Sequence, residues 1–170
     1  MRLRWSSNRY RVGRARVISR RRPLDNCQNW QGAGGNWGYT IPAEQVAFAH
    51  RLIDRAGVDL VHGHSCHYVK GLEVYHGRLV LYGCGDFLDD YEGIGGYERY
   101  RPELTLMYFP TIEPNTGRLT GLRLAPMRVR HFRLNHAGRA DAVWLRDTRD
   151  REGEGFGVQV VLEEDGMLAV

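Results

Sequence analysis

The chain has 170 residues, which is enough for one ordinary domain with a core and too few for two comfortable ones. Hydrophobic residues make up 42% and charged residues 26% of it, a composition that is typical of globular proteins and excludes a disordered or fibrous chain. The net charge of +4 hides an asymmetry, because residues 2–22 contain nine arginines and no acidic residue, whereas the remainder has 15 basic and 20 acidic residues. The charge of the whole chain therefore does not indicate nucleic-acid binding.

Residues 1–35 show neither a helical period nor strand alternation, and they end in a glycine-rich stretch. We interpret them as an Arg-rich leader that is irregular or disordered. The functional alternative is a basic arm that neutralises phosphates, but the arginines lack aromatic interleaving and a binding motif, so no nucleic-acid partner is expected. A third possibility is that this segment is foreign to the rest, through a mis-set start or a frameshift.

Targeting signals and disulfides are not visible in the sequence. No apolar run approaches the roughly 20 residues that cross a bilayer, and the N-terminus lacks the apolar stretch of a secretory signal. We therefore expect a cytoplasmic chain without a membrane segment. The three cysteines, Cys27, Cys66 and Cys84, form no C-x-x-C pair, which argues against a disulfide framework. Cys27 and Cys84 are interpreted as small buried hydrophobes, whereas Cys66 lies among histidines.

The first predicted helix starts in residues 41–45, where a proline in the first turn and an acid near the positive end of the dipole favour helix initiation. Gly57 is expected to end it. A short β run at residues 58–61 follows, and a polar loop at residues 62–67 lies just beyond, where α/β sheets place their chemistry. Apolar residues at three- and four-residue spacing predict one buried helical stripe, formed by Val46, Ala49, Leu52, Ile53 and Ala56.

The rest of the chain is dominated by paired β runs. Turn residues separate apolar runs at 72–75 and 79–82, and again at 105–111 and 119–124, which predicts two antiparallel hairpins. A modest helix is expected at residues 140–151, followed by a closing pair of strands at 158–162 and 167–170. The fold class is therefore α/β in the broad sense (α+β), with a mixed sheet and antiparallel hairpins.

Three histidines, His62, His64 and His67, lie within six residues on the predicted loop. Neutral imidazole binds divalent ions such as zinc, manganese and iron, and a turn can bring His64 and His67 to one ion. The alternative is that these histidines cap the strand end and bond to nearby backbone. The carboxylates near them have no diagnostic spacing: one is expected inside or beside the strand and three in solvated loops, and they are Asp59, Asp86, Asp89 and Asp90.

A resemblance to a known family rests on several segments in order. Residues 56–67 (A-G-V-D-L-V-H-G-H-S-C-H), 70–75 (K-G-L-E-V-Y) and 81–87 (L-Y-G-C-G-D-F) resemble the G-A-D-x-V-I-G-H-H-P-H, Q-G-I-E-x-Y and Y-S-L-G-N-F segments of CapA proteins, which belong to the metallophosphoesterase superfamily and serve poly-gamma-glutamate capsule synthesis. Residues 36–39 are similar to the family's H-W-G-x-E-Y stretch, and residues 104–134 to its strand pair ending in a proline-containing turn.

The resemblance implies that residues 36–170 form the C-terminal part of a CapA-like domain, with a partial four-layer metallophosphoesterase-like sandwich. It implies a divalent ion (Mn, Zn or Fe) bound by His64 and His67, with Gly63 permitting a close turn. Asp86 stands where the family usually has Asn. The implied substrate is an acidic polymer or a phosphoester.

The chain also departs from the family pattern. The early segments G-D-x-M-L-G, N-L-E and A-N-N-H, which supply further ligands, have no counterpart in residues 1–35, and residues 65–66 (S-C) replace His-Pro. These departures predict a truncated chain with an incomplete metal site. The first hypothesis is a metal-dependent phosphoesterase or capsule-synthesis factor, and the alternative is a non-catalytic binding or assembly module for an acidic polymer or a protein partner.

Overall fold

The computed structural model describes residues 37–63, 66–87 and 94–170. The leader predicted for residues 1–35 lies outside these ranges, and so do Cys27, His64, Asp89 and Asp90. The predicted boundary between leader and domain therefore stays a prediction. Within the described part the chain forms two helices and two sheets, which confirms the α+β class with antiparallel hairpins. No helix in those ranges is long and apolar enough to cross a membrane.

The first helix, α1, spans Ala43–Ala56 and ends as predicted. Gly57 adopts a left-handed conformation (φ 64°), and its N–H donates to the carbonyl of Ile53, which is the usual way in which glycine terminates a helix. In the predicted stripe Ala49 and Ile53 are buried, Val46 and Leu52 are partly buried against the same core, and Ala56 is exposed. The buried stripe therefore ends one turn before the chain reverses at Gly57.

The first sheet has the strand order β1-β3-β2. β1 (Leu60–His62) pairs with β3 (Arg78–Leu81) in parallel, and β2 (Leu72–Tyr75) pairs with β3 in the antiparallel sense. The turn of this predicted hairpin has two residues with positive φ, His76 (48°) and Gly77 (75°), a conformation that fits the twist of paired strands. α1 covers one face of this sheet and shares a core with it, formed by Ala49, Ile53, Val58, Val61, Val80 and Tyr82.

The second sheet has the order β4-β5-β8-β7, with β6 paired to the far end of β5. Its strands are β4 Leu104–Ile112, β5 Leu119–Val129, β6 Leu134–His136, β7 Val161–Leu162 and β8 Leu168–Ala169. The predicted hairpin and the closing pair are both confirmed. A turn that contains Pro114 joins β4 and β5, whereas Pro126 lies inside β5 opposite Leu106, and its carbonyl accepts the N–H of Ala137.

The second helix, α2 (Arg139–Gly153), lies where a helix was predicted and contacts strands of both sheets. Single turns of 3-10 helix occur at Glu98–Tyr100 and Glu154–Phe156. Leu145 of α2 is fully buried in a core to which both sheets contribute, so the two sheets and α2 pack as one unit. The largest contributors to that core are Leu72, Leu79, Leu81, Leu104, Leu106, Leu122, Leu124 and Leu168.

A close contact joins the two sheets where the β4–β5 turn meets the residue before β1. Asp59 is buried, its carboxylate lies 3.5 Å from Nε of Arg78, and Gly117 lies directly against it. Gly117 has a left-handed backbone (φ 71°), and a Cβ atom there would come within 1.9 Å of Oδ1 of Asp59. Asp59 therefore stands beside the strand, as predicted, and Gly117 is the residue that lets the turn approach it.

We expect Gly117→Ala to lower the free energy of unfolding by about 2–4 kcal/mol, because it adds left-handed strain and an overpacked contact with Asp59. Gly166→Ala is the matched control: Gly166 also has positive φ (84°), but open space surrounds its Cβ position, so only strain of about 1–2 kcal/mol is expected. Urea unfolding followed by tryptophan fluorescence measures both. An equal decrease in the free energy of unfolding in the two variants would show that overpacking against Asp59 does not contribute to the effect of Gly117→Ala.

Candidate metal centre after the first strand

The candidate site lies at the carboxyl end of β1, where the chain leaves the first sheet. The N–H of Gly63 donates to the carbonyl of Leu81 (2.7 Å), so the chain stays against β3 after β1 has ended. A Cβ atom on Gly63 would lie 2.8 Å from the carbonyl oxygen of Tyr82 and 3.0 Å from that of Leu81. Glycine is therefore needed for this close approach, in agreement with the role expected for Gly63.

A histidine and a carboxylate meet at this edge of the sheet. Nδ1 of His67 lies 2.9 Å from Oδ2 of Asp86, and both side chains are about three-quarters or more buried (26% and 20% exposed). Because a carboxylate only accepts hydrogen bonds, Nδ1 carries the proton and donates. The lone pair of the imidazole is then on Nε2, which is the tautomer that a metal ligand needs.

The position of Asp86 differs from the solvated loop that was predicted for it. β1 and β3 are parallel, so the loops that follow them leave from the same edge of the sheet. His67 lies in the loop after β1, and Asp86 follows β3. The pair was not predicted, because the β3 run was paired only with β2 and the spacing of 19 residues between the two side chains carries no local signal.

Backbone contacts hold the two loops together around the pair. Val69 and Cys84 form an isolated antiparallel bridge, and the N–H of Lys70 donates to the carbonyl of Gly83 (3.0 Å). A Cβ atom on Gly83 would lie 3.2 Å from Cβ of Cys66, so this glycine also permits a tight approach. The loops are therefore fixed by main-chain hydrogen bonds rather than by side chains alone.

An aromatic wall borders His67. The ring of Trp37 stacks on those of Tyr97 (centroids 3.9 Å apart), Tyr68 (5.3 Å) and His67 (5.7 Å). The hydroxyl of Tyr68 donates to the carbonyl of Gly38 (2.5 Å), and burial raises the pKa of this phenol well above its usual value. The stacked rings and the bond to Asp86 together restrict the orientation of the imidazole.

The two cysteines near the site are packed groups. Cys66 is buried, and burial raises the pKa of Cys84 to about 12, although the nearby Arg149 acts in the opposite direction. Arg149 of α2 is itself fully buried, which lowers its pKa to about 10, and it donates a hydrogen bond to the hydroxyl of Tyr108. At neutral pH Arg149 therefore stays charged and the thiol of Cys84 stays protonated. Cys84 packs against the core shared by both sheets, but it is partly buried rather than fully buried as predicted.

A second polar network is centred on Glu73, and no local sequence pattern indicated it. Glu73 of β2 is buried, and its two carboxylate oxygens accept hydrogen bonds from Nε2 of His50 (2.9 Å) and from the hydroxyl of Tyr82 (2.6 Å). Burial, together with the hydrogen bond to Glu73, raises the pKa of Tyr82. This network joins α1, β2 and the residue that precedes Gly83, so it supports the loop that carries Asp86.

The structure brings together only part of the predicted ligand set. His67 lies in the site, His62 is exposed at the end of β1, and Asp59 lies at the opposite end of that strand. His64 is outside the described ranges. Within those ranges no group of three or more His, Cys, Asp or Glu residues has the geometry to hold a metal ion. The described residues thus fit one imidazole ligand, His67, with Asp86 as its hydrogen-bond acceptor.

The region that contains His67 and Asp86 is similar to known proteins. The family model described as "Bacterial capsule synthesis protein PGA_cap" matches residues 27–91, a range that includes both His67 and Asp86. Two uncharacterized proteins of Sinorhizobium fredii are 39% identical over 56 residues, which is 33% of this chain and 12% of each of those proteins.

Two longer matches extend over most of the chain. Proteins named "Probable polyglutamine synthesis accessory protein" from Mycobacterium tuberculosis strains CDC 1551 and H37Rv are each 47% identical over 156 residues, 92% of this chain. The chain spans 41% of the length of each of these relatives. The resemblance to CapA proteins is confirmed, and the chain belongs to the family of bacterial capsule synthesis proteins described as PGA_cap.

Proposed function

We propose that this chain acts in the synthesis of polyglutamate capsule material and that His64 and His67 bind a divalent ion, Mn, Zn or Fe, in the loop after β1. The name of the Mycobacterium tuberculosis relatives, which match 92% of the chain, supports the role in synthesis. The position of the loop supports a site for chemistry, because side chains that follow parallel strands gather at the carboxyl edge of a sheet. The proposed substrate is an acidic polymer or a phosphoester.

The observation that carries the metal proposal is the hydrogen bond of 2.9 Å between Nδ1 of His67 and Oδ2 of Asp86. Histidines that bind metals commonly donate their second ring N–H to a carboxylate, which fixes the tautomer and makes the ligand nitrogen more basic. A capping histidine has no need for such a partner, whereas an imidazole that presents Nε2 to an ion does.

A bound divalent ion supplies Lewis acidity, which polarises a phosphoryl or acyl oxygen and lowers the pKa of a bound water. Among the described residues, Asp86 and Trp37 orient His67 for binding such an ion. Asp86 keeps the proton on Nδ1 of His67, and the ring of Trp37 limits rotation of the imidazole. Catalytic centres of this kind use three or more protein ligands, and His64 with His67 supplies two, so we expect this chain by itself to bind metal and to turn over substrate weakly.

The second candidate is a non-catalytic binding or assembly module for an acidic polymer or a protein partner. It is favoured by one specific observation, a run of residues from 128 to 140 that contains four arginines and no acidic residue. The two candidates differ in whether His64 and His67 hold a metal ion that catalyses turnover of a substrate.

The first test is the metal content of the full 170-residue chain. We expect about one divalent ion per chain by elemental analysis, as a histidine site of this type would hold, and we expect the double substitution His64→Ala with His67→Ala to abolish it. His136→Ala serves as the control, because His136 is an exposed histidine of β6 in the other sheet. Absence of metal from the wild-type chain after incubation with Mn²⁺, Zn²⁺ and Fe²⁺ would refute the metal site.

The second test separates an orienting role of Asp86 from a packing role. We expect Asp86→Ala to weaken Zn²⁺ binding by about 10–100-fold, the range found when such outer partners are removed, as measured by isothermal titration calorimetry. Asp86→Asn keeps an acceptor oxygen and should lose less affinity. A Zn²⁺ affinity of Asp86→Asn that lies between those of the wild type and Asp86→Ala would show that Asp86 orients the imidazole of His67.

Asp54→Ala is the matched control for this series. Asp54 is also a carboxylate that accepts from a histidine, since its Oδ1 lies 3.1 Å from Nδ1 of His76, but that pair is exposed at the turn between β2 and β3. The Asp54→Ala variant should therefore bind Zn²⁺ with the affinity of the wild type. Unchanged affinity in Asp86→Ala would contradict the orienting role even if that variant is less stable.

A further inference from the structure

The hairpin that joins β5 and β6 ends in a turn of unusual composition. Arg130 and Arg133 exchange two backbone hydrogen bonds (2.9 and 3.2 Å), which leaves a two-residue loop of His131 and Phe132, both with φ 54°. Such loops normally contain Asn and Gly, because bulky side chains are strained at positive φ. We call Arg130, His131, Phe132 and Arg133 the basic hairpin tip.

Surrounding contacts hold this strained turn in place. The side-chain amide of Asn135 donates to the carbonyls of Arg133 (2.9 Å) and Arg130 (3.3 Å). At the base of the hairpin Arg128 forms an ion pair with Asp141 (3.1 Å), which is in the first turn of α2. The turn is therefore fixed on a rigid support, and strain that is maintained in this way is a mark of functional positions.

The basic hairpin tip exposes charge and apolar surface together. All four of its residues are exposed, and Phe132, at 68%, has the largest exposed fraction of the large hydrophobic side chains in the described ranges. Arg130 and Arg133 are direct cross-strand neighbours, an arrangement in which like charges repel. The ion pairs found in the described part of the chain leave both of these arginines without an acidic partner.

We propose that the basic hairpin tip binds a polycarboxylate chain. Two adjacent guanidinium groups match carboxylates in both charge and geometry, because arginine can donate two parallel hydrogen bonds to one carboxylate. Binding an anion also removes the repulsion between Arg130 and Arg133, and the ring of Phe132 can cover the methylene groups of a polymer. The choice of polyglutamate as the polymer rests on the proposed function, whereas the choice of an anion rests on the tip alone.

The test uses the full chain and fluorescently labelled polyglutamate of defined length, with binding followed by fluorescence anisotropy. We expect Arg130→Gln with Arg133→Gln to weaken binding about tenfold or more, since two charge-assisted contacts are lost. The matched control is Arg51→Gln with Arg55→Gln, which removes the same charge from two exposed arginines of α1 and should leave affinity within about twofold, because only distant, salt-screened interactions change.

Phe132→Gly gives a second, independent readout. Glycine relieves the strain at φ 54°, so this variant should have a higher melting temperature than the wild type and yet bind polyglutamate more weakly. A rise in melting temperature with unchanged affinity would remove Phe132 from the binding surface. Loss of stability in this variant would contradict the assignment of strain.

Three results would overturn the proposal as a whole. They are absence of polyglutamate binding by the wild-type chain, equal weakening by the tip and α1 double variants, and tighter binding of a single-stranded oligonucleotide of equal charge at the same tip. Metal content is measured separately at His64 and His67, so the failure of either proposal leaves the other standing. Circular dichroism of each variant confirms that the fold is intact.

Discussion

The parallel pairing of β1 with β3 is the constraint on which the candidate site depends. It is the only parallel pair among the described strands, and it aligns Leu60 with Leu79 and His62 with Leu81. Because parallel strands end at the same edge, the loops that follow them must leave side by side. That geometry, rather than any local motif, brings His67 and Asp86 to 2.9 Å from each other. An antiparallel arrangement of the same two strands would place these side chains at opposite ends of the sheet.

The close packing of the site involves glycines as well as aromatic rings. Gly63 lets the chain approach the carbonyl oxygen of Tyr82 at a distance that a Cβ atom would prevent, and Gly83 packs tightly against side-chain atoms of Cys66 and Lys70. The ring of Trp37 stacks on those of Tyr68 and His67. Beneath them, the core shared by both sheets and α2 fixes the strands, because buried leucines at this density leave little freedom for the strand ends. Orientation of the imidazole is thus a consequence of packing as well as of its hydrogen bond.

Features with a local signal were predictable from the sequence, and features set by distant pairing were not. α1, its termination at Gly57, the two hairpins and α2 follow from periodicity and turn residues, and the structure confirms them. β6 was missed because three residues carry too little pattern. Asp86 was predicted to lie in a solvated loop, because its burial depends on which strand lies beside β3 and no local pattern indicates that strand.

The charge at position 86 has a consequence for the proposed centre that goes beyond orientation. An amide, which CapA proteins usually have here, accepts a hydrogen bond from Nδ1–H without a formal charge, whereas Asp86 adds a carboxylate next to His67, the proposed ligand. A carboxylate acceptor makes the ring nitrogen more basic and contributes negative charge that offsets a divalent ion. Residues 65–66 are Ser-Cys where the CapA segment has His-Pro, so the same loop has one imidazole fewer than in CapA proteins. The two differences act in opposite directions on metal affinity, so in this chain the pair of His67 and Asp86 should contribute a larger share of metal binding than the corresponding His–Asn pair would.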